Sequence, residues 1–179
     1  MFDNAQGSSE PLTESGVTVC IPVFNDWESV TRLLEQLNDV APLLDPEVRV
    51  VLVDDGSDEP PPERLSGSLP AIARVDVLPL RRNVGHQRAI ALGLAFVNRN
   101  CPSRLVVVMD GDGEDAPADI PKLLDACRAT GFGKIVFARR RKRTEGLVFR
   151  LGYFAYRIVH YVLTGRGVSI GNFSVIPST

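Results

Sequence analysis

The sequence predicts an α/β fold built on a mostly parallel sheet flanked by helices. Two observations carry that expectation. Short, near-continuous apolar runs of strand length recur along the chain, as in strands covered on both faces, and stretches with helical spacing of apolar residues separate them. Residues 1–15, rich in Ser, Glu, Gly and Asn without periodicity, read as a flexible lead, so order begins near Val17. The first run is Val17–Val23 (VTVCIPV). A helix follows, with Val30, Leu33, Leu34, Leu37 and Val40 on one face, Asn25 or Asp26 as its cap, and Glu28 three residues after Asn25. The second run covers 48–53 (VRVVLV). Pro60 to Pro62 and the 66–70 stretch mark a long surface connection to a third run at 74–78. The next helical pattern follows Asn83 through Ala89, Ile90, Leu92, Leu94 and Phe96, and leads to the run 105–109 (LVVVM). A third helix starts at about Asp119 and carries Ile120, Leu123, Leu124 and Cys127, with Pro121 tolerated in its first turn, before a last run at 134–138 (KIVFA). Strand and helix alternating in this way call for right-handed crossovers.

With 179 residues, 44% hydrophobic and 23% charged, the chain has the composition of a single globular domain; disorder, collagen-like repetition and solenoid arrays are poor fits. A chain this long buries about 70% of its unfolded surface and needs no disulfide or metal to fold. Its three cysteines, Cys20, Cys101 and Cys127, show no CxxC pairing and read as buried, reduced thiols of a cytosolic protein. Neither an apolar stretch of membrane-spanning length nor a signal-peptide core is evident, so the expectation is a cytoplasmic protein. The formal charge of −2 hides an asymmetry. Residues 1–138 carry 12 Lys and Arg against 21 Asp and Glu, whereas residues 139–179 carry 8 against 1. That split points to an anionic partner near the tail: phosphate, nucleic acid or an acidic membrane surface.

In open parallel sheets ligands bind at the carboxyl ends of the strands, and here those positions are acidic. Asp54-Asp55-Gly56-Ser57-Asp58 follows the second run and Asp110-Gly111-Asp112-Gly113-Glu114-Asp115 the fourth. Crowded carboxylates repel one another unless a cation or a donor-rich ligand neutralises them. A hard divalent cation shared with a diphosphate is the simplest such ligand, since Mg²⁺ and Mn²⁺ favour oxygen donors. Each segment also has a plainer reading: Asp-Gly-Ser is common turn chemistry, and the second loop could be solvated. An EF-hand is a poor fit, because the loop lacks its Gly and closing Glu, and neither GxGxxG nor a P-loop is present.

The ordered series IPVFND, VDDGS, NVGHQRAIALGLA and MDGDGED closely resembles the family 2 nucleotide-sugar glycosyltransferases, which have the GT-A, Rossmann-like fold. With ARRRKRTEG and IGNFSVI after the DxD motif, it looks most like their polyprenyl-phosphate branch, the dolichyl-phosphate mannose synthase-like enzymes of the cell envelope. The resemblance covers about 17–177, making 16–179 a GT-A catalytic domain that is C-terminally incomplete relative to the family.

This resemblance implies an inverting transferase that moves a sugar from a UDP- or GDP-linked donor to a polyprenyl phosphate with Mg²⁺ or Mn²⁺. The other readings are a family 2 transferase to a glycan or small hydroxyl acceptor, and a non-catalytic nucleotide-sugar binding module. Pro22, Phe24 and Asp26 match the family's P-x-Y-N-E segment and would line the nucleotide pocket, with Phe for Tyr and Asp for Glu as departures. Asp55, beside Asp54, would accept from the base. Asp112 would ligate the metal, with Asp110 at the ribose or metal shell and Glu114 as a further metal oxygen; Gly111 counts with Asp110 among the nucleotide-sugar contacts. Asn83 and Gly85 open the second helix, where backbone N–H groups could hold diphosphate or sugar. His86 beside them reads as a capping or substrate-positioning group rather than a base, and His160 as structural or interfacial. Arg139, at the head of the run Arg139-Arg140-Arg141-Lys142-Arg143, matches the arginine that meets the diphosphate and joins Asp112 as a catalytic candidate. Arg150 and Asn172 fall on the acceptor side. Residues 147–163 are apolar with interspersed arginines, which suits a helix lying on an anionic membrane, with the protein peripheral at the cytoplasmic face; burial under a further C-terminal segment explains them equally well, and a simple surface helix is the third reading. A basic run without interleaved aromatics argues against nucleic acid as the partner.

Overall fold

The computed structural model of the protein describes residues 16–44, 47–63, 65, 68–101, 103–138 and 171–178. Its elements run in the order β1 (Val17–Val23), α1 (Trp27–Val40), β2 (Val48–Asp54), β3 (Arg74–Pro79), α2 (His86–Asn100), β4 (Leu105–Val108), α3 (Ile120–Ala129), β5 (Val136–Phe137) and β6 (Ser174–Pro177). Single 3₁₀ turns at Ala41–Leu43 and Pro117–Asp119 extend α1 and introduce α3. The expected lead at 1–15 lies outside the described residues.

Among the described residues the strands form one six-stranded sheet in the order β3-β2-β1-β4-β6-β5. The four strands from β3 to β4 are parallel, while β6 is antiparallel to both β4 and β5. The chain therefore steps outward from β1 to β3, then returns to place β4 on the other side of β1. Right-handed crossovers then put α1 and α2 on opposite faces. Packing agrees: the inward residues of one face of β1, Val17, Val19, Ile21 and Val23, join α1 and α3 in the larger core, while Cys20 joins Val51, Val53, Ala89 and Val97 beneath α2.

Helix α1 forms as its spacing requires, burying Val30, Leu33, Leu34 and Leu37, with Trp27 added at the start. Asp26 is the cap; its carboxylate accepts from the Ser29 N–H at 3.3 Å. An N-cap carboxylate satisfies a helix-end donor, so Asp26→Ala is expected to lower the urea unfolding free energy by about 1 kcal/mol. Helix α2 differs from its hydrophobic pattern. Its docking face is Ala89, Gly93 and Val97, while Leu92 is 45% exposed. Close approach decides this: a Cβ on Gly93 would stand 2.6 Å from both Cys20 Sγ and Val53 Cγ2, so only a glycine lets the helix settle on the sheet. Burial beside Cys101 pushes the Cys20 thiol up to about 12, which keeps it protonated.

The last run also departs from expectation. Only Val136–Phe137 pairs, at the sheet edge, and Ser174–Pro177 takes the place beside β4. One polar atom is left unanswered in the core: Thr18 Oγ1 is buried without a hydrogen-bond partner among the described residues. Replacing a buried, unpaired hydroxyl with a methyl removes a desolvation cost, so Thr18→Val should raise unfolding free energy by about 1 kcal/mol, read from urea melts.

Candidate functional site

A ligand crevice is expected where the strand order reverses, between the carboxyl ends of β1 and β4. Three loops meet there, each held by hydrogen bonds to its neighbours. After β1, Asn25 adopts a positive φ of 54° and binds the loop after β2: its N–H donates to Ser57 Oγ at 3.0 Å, its Nδ2 donates to Asp58 Oδ2 at 2.9 Å, and its Oδ1 accepts from the Asp58 N–H at 2.8 Å. Trp27 Nε1 donates to the Glu59 carbonyl at 3.1 Å on the same seam.

After β2, Asp54 and Asp55 are both buried. Asp54 Oδ1 accepts from the Ser57 N–H at 2.9 Å, closing the turn. Asp55 reaches across to the loop that opens α2: Oδ1 accepts from the Val84 N–H at 2.7 Å and Oδ2 from the Gly85 N–H at 3.0 Å. The Asp55 N–H in turn donates to the Val23 carbonyl at 2.8 Å. One residue thus ties together the ends of β1 and β2, through its backbone N–H, and the start of α2, through its carboxylate. Gly85, at φ 91°, is the cap position of α2, and its N–H also lies 3.0 Å from Asn83 Oδ1.

After β4 the chain enters the acidic loop. Gly111 packs closely against β1 and α1: a Cβ there would sit 3.2 Å from the Pro22 carbonyl and from Val30 Cγ2. Asp115 is buried and accepts the Asp110 N–H at 2.8 Å, so it folds the loop back on its own first residue. Asp112 and Glu114 are exposed at the loop tip, where Asp112 Oδ1 accepts the Glu114 N–H at 2.8 Å.

Most of the expected site residues therefore share the carboxyl edge of the sheet: Phe24, Asp54, Asp55, Asn83, Gly85, Asp110, Gly111, Asp112, Glu114 and Asn172. Pro22 is buried within β1, and the carboxylate of Asp26 serves α1 as its cap. Arg139, Arg150, the rest of the basic run, His160 and the 147–163 stretch lie outside the described residues. Two groups were not singled out by sequence. Asp115 carries no periodicity or motif that marks it as the folding anchor of its loop. Gln87, on α2, meets Asn172 only through the tertiary fold, its Nε2 donating to Asn172 Oδ1 at 2.9 Å.

The expected metal set is Asp110, Asp112 and Glu114. All three sit on one loop, but among the described residues no group of three or more His, Cys, Asp or Glu converges as a ready-made cage. That donor set fits a small hard cation: Mg²⁺ is typically held through one or two carboxylates, with phosphate and water oxygens completing its shell.

The match to known families settles the kinship. The family described as Glycosyl transferase family 2 matches residues 18–175. The chain belongs to glycosyl transferase family 2. Among curated relatives, it is 31% identical over 160 residues to the undecaprenyl-phosphate 4-deoxy-4-formamido-L-arabinose transferase of Photorhabdus laumondii subsp. laumondii, covering 88% of this chain and 46% of the relative. The enzyme of the same name from Enterobacter sp. (strain 638) is 33% identical over 144 residues, covering 75% of this chain and 42% of the relative. The chain thus spans just under half the length of these relatives. Among solved structures, glucosyl-3-phosphoglycerate synthase from Mycobacterium tuberculosis, in complex with Mn²⁺, UDP-glucose and phosphoglyceric acid, superposes with a TM-score of 0.57 at 19% identity, covering 91% of this chain and 57% of that one. S. aureus TarS 1-349, in complex with UDP-GlcNAc, gives a TM-score of 0.50 at 18% identity over 74% of this chain and 36% of its own. Both superpositions bear out the expected GT-A fold, a mostly parallel sheet flanked by helices. Among the described residues no helix is long and apolar enough to cross a membrane.

Proposed function

We propose that this chain is the donor-binding part of an inverting glycosyltransferase that passes a sugar from a nucleoside diphospho-sugar to a polyprenyl phosphate. The observation that carries the reading is the convergence, at the switch point between β1 and β4, of the Asp54-Asp55 turn, the α2 start and the Asp110-Asp112 loop. The names of the curated relatives, undecaprenyl-phosphate transferases, support the acceptor class.

In this reading the nucleoside lies against Pro22, Phe24 and Asp26, with Asp54 and Asp55 at the base. Asp55 acts mainly by holding the Asn83–Gly85 backbone in the shape the diphosphate side meets. Asp110, Asp112 and Glu114 hold Mg²⁺ or Mn²⁺, and Gly111 lets their loop lie flat on β1. The cation, when bound, stabilises the negative charge that grows on the departing diphosphate. Arg139 adds a guanidinium to the same diphosphate, while Arg150 and Asn172 face the acceptor. A phosphate monoester has its second pKa near about 6, so the acceptor attacks already ionised and the protein has only to orient it. The basic run and the arginine-studded 147–163 stretch support a peripheral seat at the cytoplasmic membrane face, where polyprenyl phosphates reside.

Calorimetric titration of the chain with UDP and with GDP, each with Mn²⁺ and with chelator, tests the donor site. Binding of one nucleotide should depend on Mn²⁺, and Asp112→Asn should weaken it at least about tenfold, roughly 1.4 kcal/mol. Equal affinity with chelator, or no binding by a folded chain that a longer form also fails to restore, overturns the reading.

A further inference from the structure

Asn25 stands just before α1, yet Asp26 caps that helix. The Asn25 amide turns instead to the loop after β2 and takes one residue there in a two-bond fork: Nδ2 donates to Asp58 Oδ2 at 2.9 Å, and Oδ1 accepts the Asp58 N–H at 2.8 Å. Its orientation follows from its partners, since a backbone N–H donates and a carboxylate oxygen accepts. The Asn25 N–H adds a bond to Ser57 Oγ at 3.0 Å, and Trp27 Nε1 continues the seam to the Glu59 carbonyl at 3.1 Å. Asparagine suits this place twice. At φ 54° the backbone is left-handed, a region that asparagine enters more readily than most side chains, and the amide offers a donor and an acceptor side by side.

The fork joins the two loops that carry the groups on the nucleoside side. Phe24, 49% exposed, lies in the chain between two ties to the same turn: the Val23 carbonyl accepts the Asp55 N–H at 2.8 Å, and Asn25 grips Asp58. The turn itself is held independently. Asp54 Oδ1 accepts the Ser57 N–H at 2.9 Å, and the Asp55 carboxylate takes the N–H groups of Val84 and Gly85. Phe24 is therefore presented by a backbone anchored on both sides of it to the Asp54-Asp55 turn.

We propose that Asn25 is a positioning residue for the nucleoside of the donor: its fork to Asp58 sets Phe24 against the Asp54-Asp55 turn before the ligand arrives, so that binding need not order that wall. This rests on the donor-site reading and adds to it the group that preforms the nucleoside side.

Asn25→Gly keeps the left-handed backbone without steric cost and removes the fork. Calorimetric titration with Mn²⁺ plus UDP or GDP should show the preferred nucleotide bound about three- to tenfold more weakly, the scale of one or two lost hydrogen bonds. Exchange of the Asp58 amide hydrogen should be faster, with an unchanged circular dichroism spectrum. Asn25→Asp should act alike, because two carboxylates then face each other. Adding Asp58→Asn to Asn25→Asp exchanges donor and acceptor across the pair, and should restore affinity and amide protection to within about twofold of the unaltered chain. If the exchanged pair does not fold, Asp58→Ala carries the test: combined with Asn25→Gly it should weaken binding little beyond Asn25→Gly alone, since both remove one shared interaction. A residue that served only loop stability would lower the urea midpoint without moving the nucleotide affinity of the folded protein. Unchanged affinity in Asn25→Gly, or a folded exchanged pair that fails to recover it, overturns the proposal while the donor site stands. If neither the unaltered chain nor a longer form binds either nucleotide, the donor-site reading falls and the proposal falls with it.

Discussion

Asp55→Ala is expected to lower the free energy of unfolding by about 2–4 kcal/mol and to free the loop between β3 and α2. The carboxylate is 3% exposed and each of its oxygens accepts one backbone N–H, from Val84 at 2.7 Å and from Gly85 at 3.0 Å. Hydrogen bonds to a charged group are worth about 1.5–3 kcal/mol each, and their donors are left without a partner when it is removed. Val84 is half-buried and Gly85 exposed, so water recovers some of that loss, which sets the range below the simple sum. Asn at this position retains one acceptor oxygen and should cost about half as much. Urea melts measure the stability, and amide exchange at Val84 and Gly85 locates it. A change under about 0.5 kcal/mol in the alanine variant, within the range of an unremarkable surface substitution, would mean that the loop is held by something else.

Gly56→Ala should be of similar size, for a different reason. Gly56 has φ +75°, and a Cβ there would lie 2.6 Å from both Arg82 C and Asn83 N, which are backbone atoms that cannot rotate away. Left-handed backbone costs a non-glycine residue about 1–2 kcal/mol, and parting the two loops adds overpacking strain of about 1–3 kcal/mol. Gly85 differs, since at φ +91° and ψ 144° it has a glycine-favoured backbone but nothing within 4 Å of its ideal Cβ. Gly85→Ala should show the conformational cost alone. Because the Gly56 contact seats the Asp54-Asp55 turn against the α2 start, its loss should weaken nucleotide binding along with stability. A Gly56→Ala midpoint indistinguishable from that of the unaltered chain would show that the close approach contributes nothing.

Much of this architecture is legible in the chain. β1, β2 and β4 read as continuous apolar runs because both of their faces are covered, and burial on two faces leaves no polar alternation to confuse the pattern. Helix α1 is legible because one face packs and the other is wet. β6 is not, since four residues ending in proline become a strand only when the open edge of β4 offers them partners. The docking face of α2 is hidden for a related reason. Hydropathy marks Leu92, but the sheet selects Gly93, the residue that lets two backbones approach.

The same division holds at the site. The Asp54-Asp55 pair and the loop from Asp110 to Asp112 announce themselves because each opens where an apolar run ends, and the ends of parallel strands lie on one edge whatever the details of packing. What each carboxylate holds is another matter. Asp55 gathers Val84 and Gly85 from 29 and 30 residues away, and Asn172 joins Asp110 and His86 across 62 and 86 residues. Strands β1, β2 and β4, the buried stripe of α1 and the acidic edge follow from the amino-acid sequence alone, because periodicity and local backbone preference encode them. Only the tertiary structure decided which side chains brace one another, because such pairings exist only after loops distant in the chain have been closed onto a common edge, and no local pattern encodes that closure.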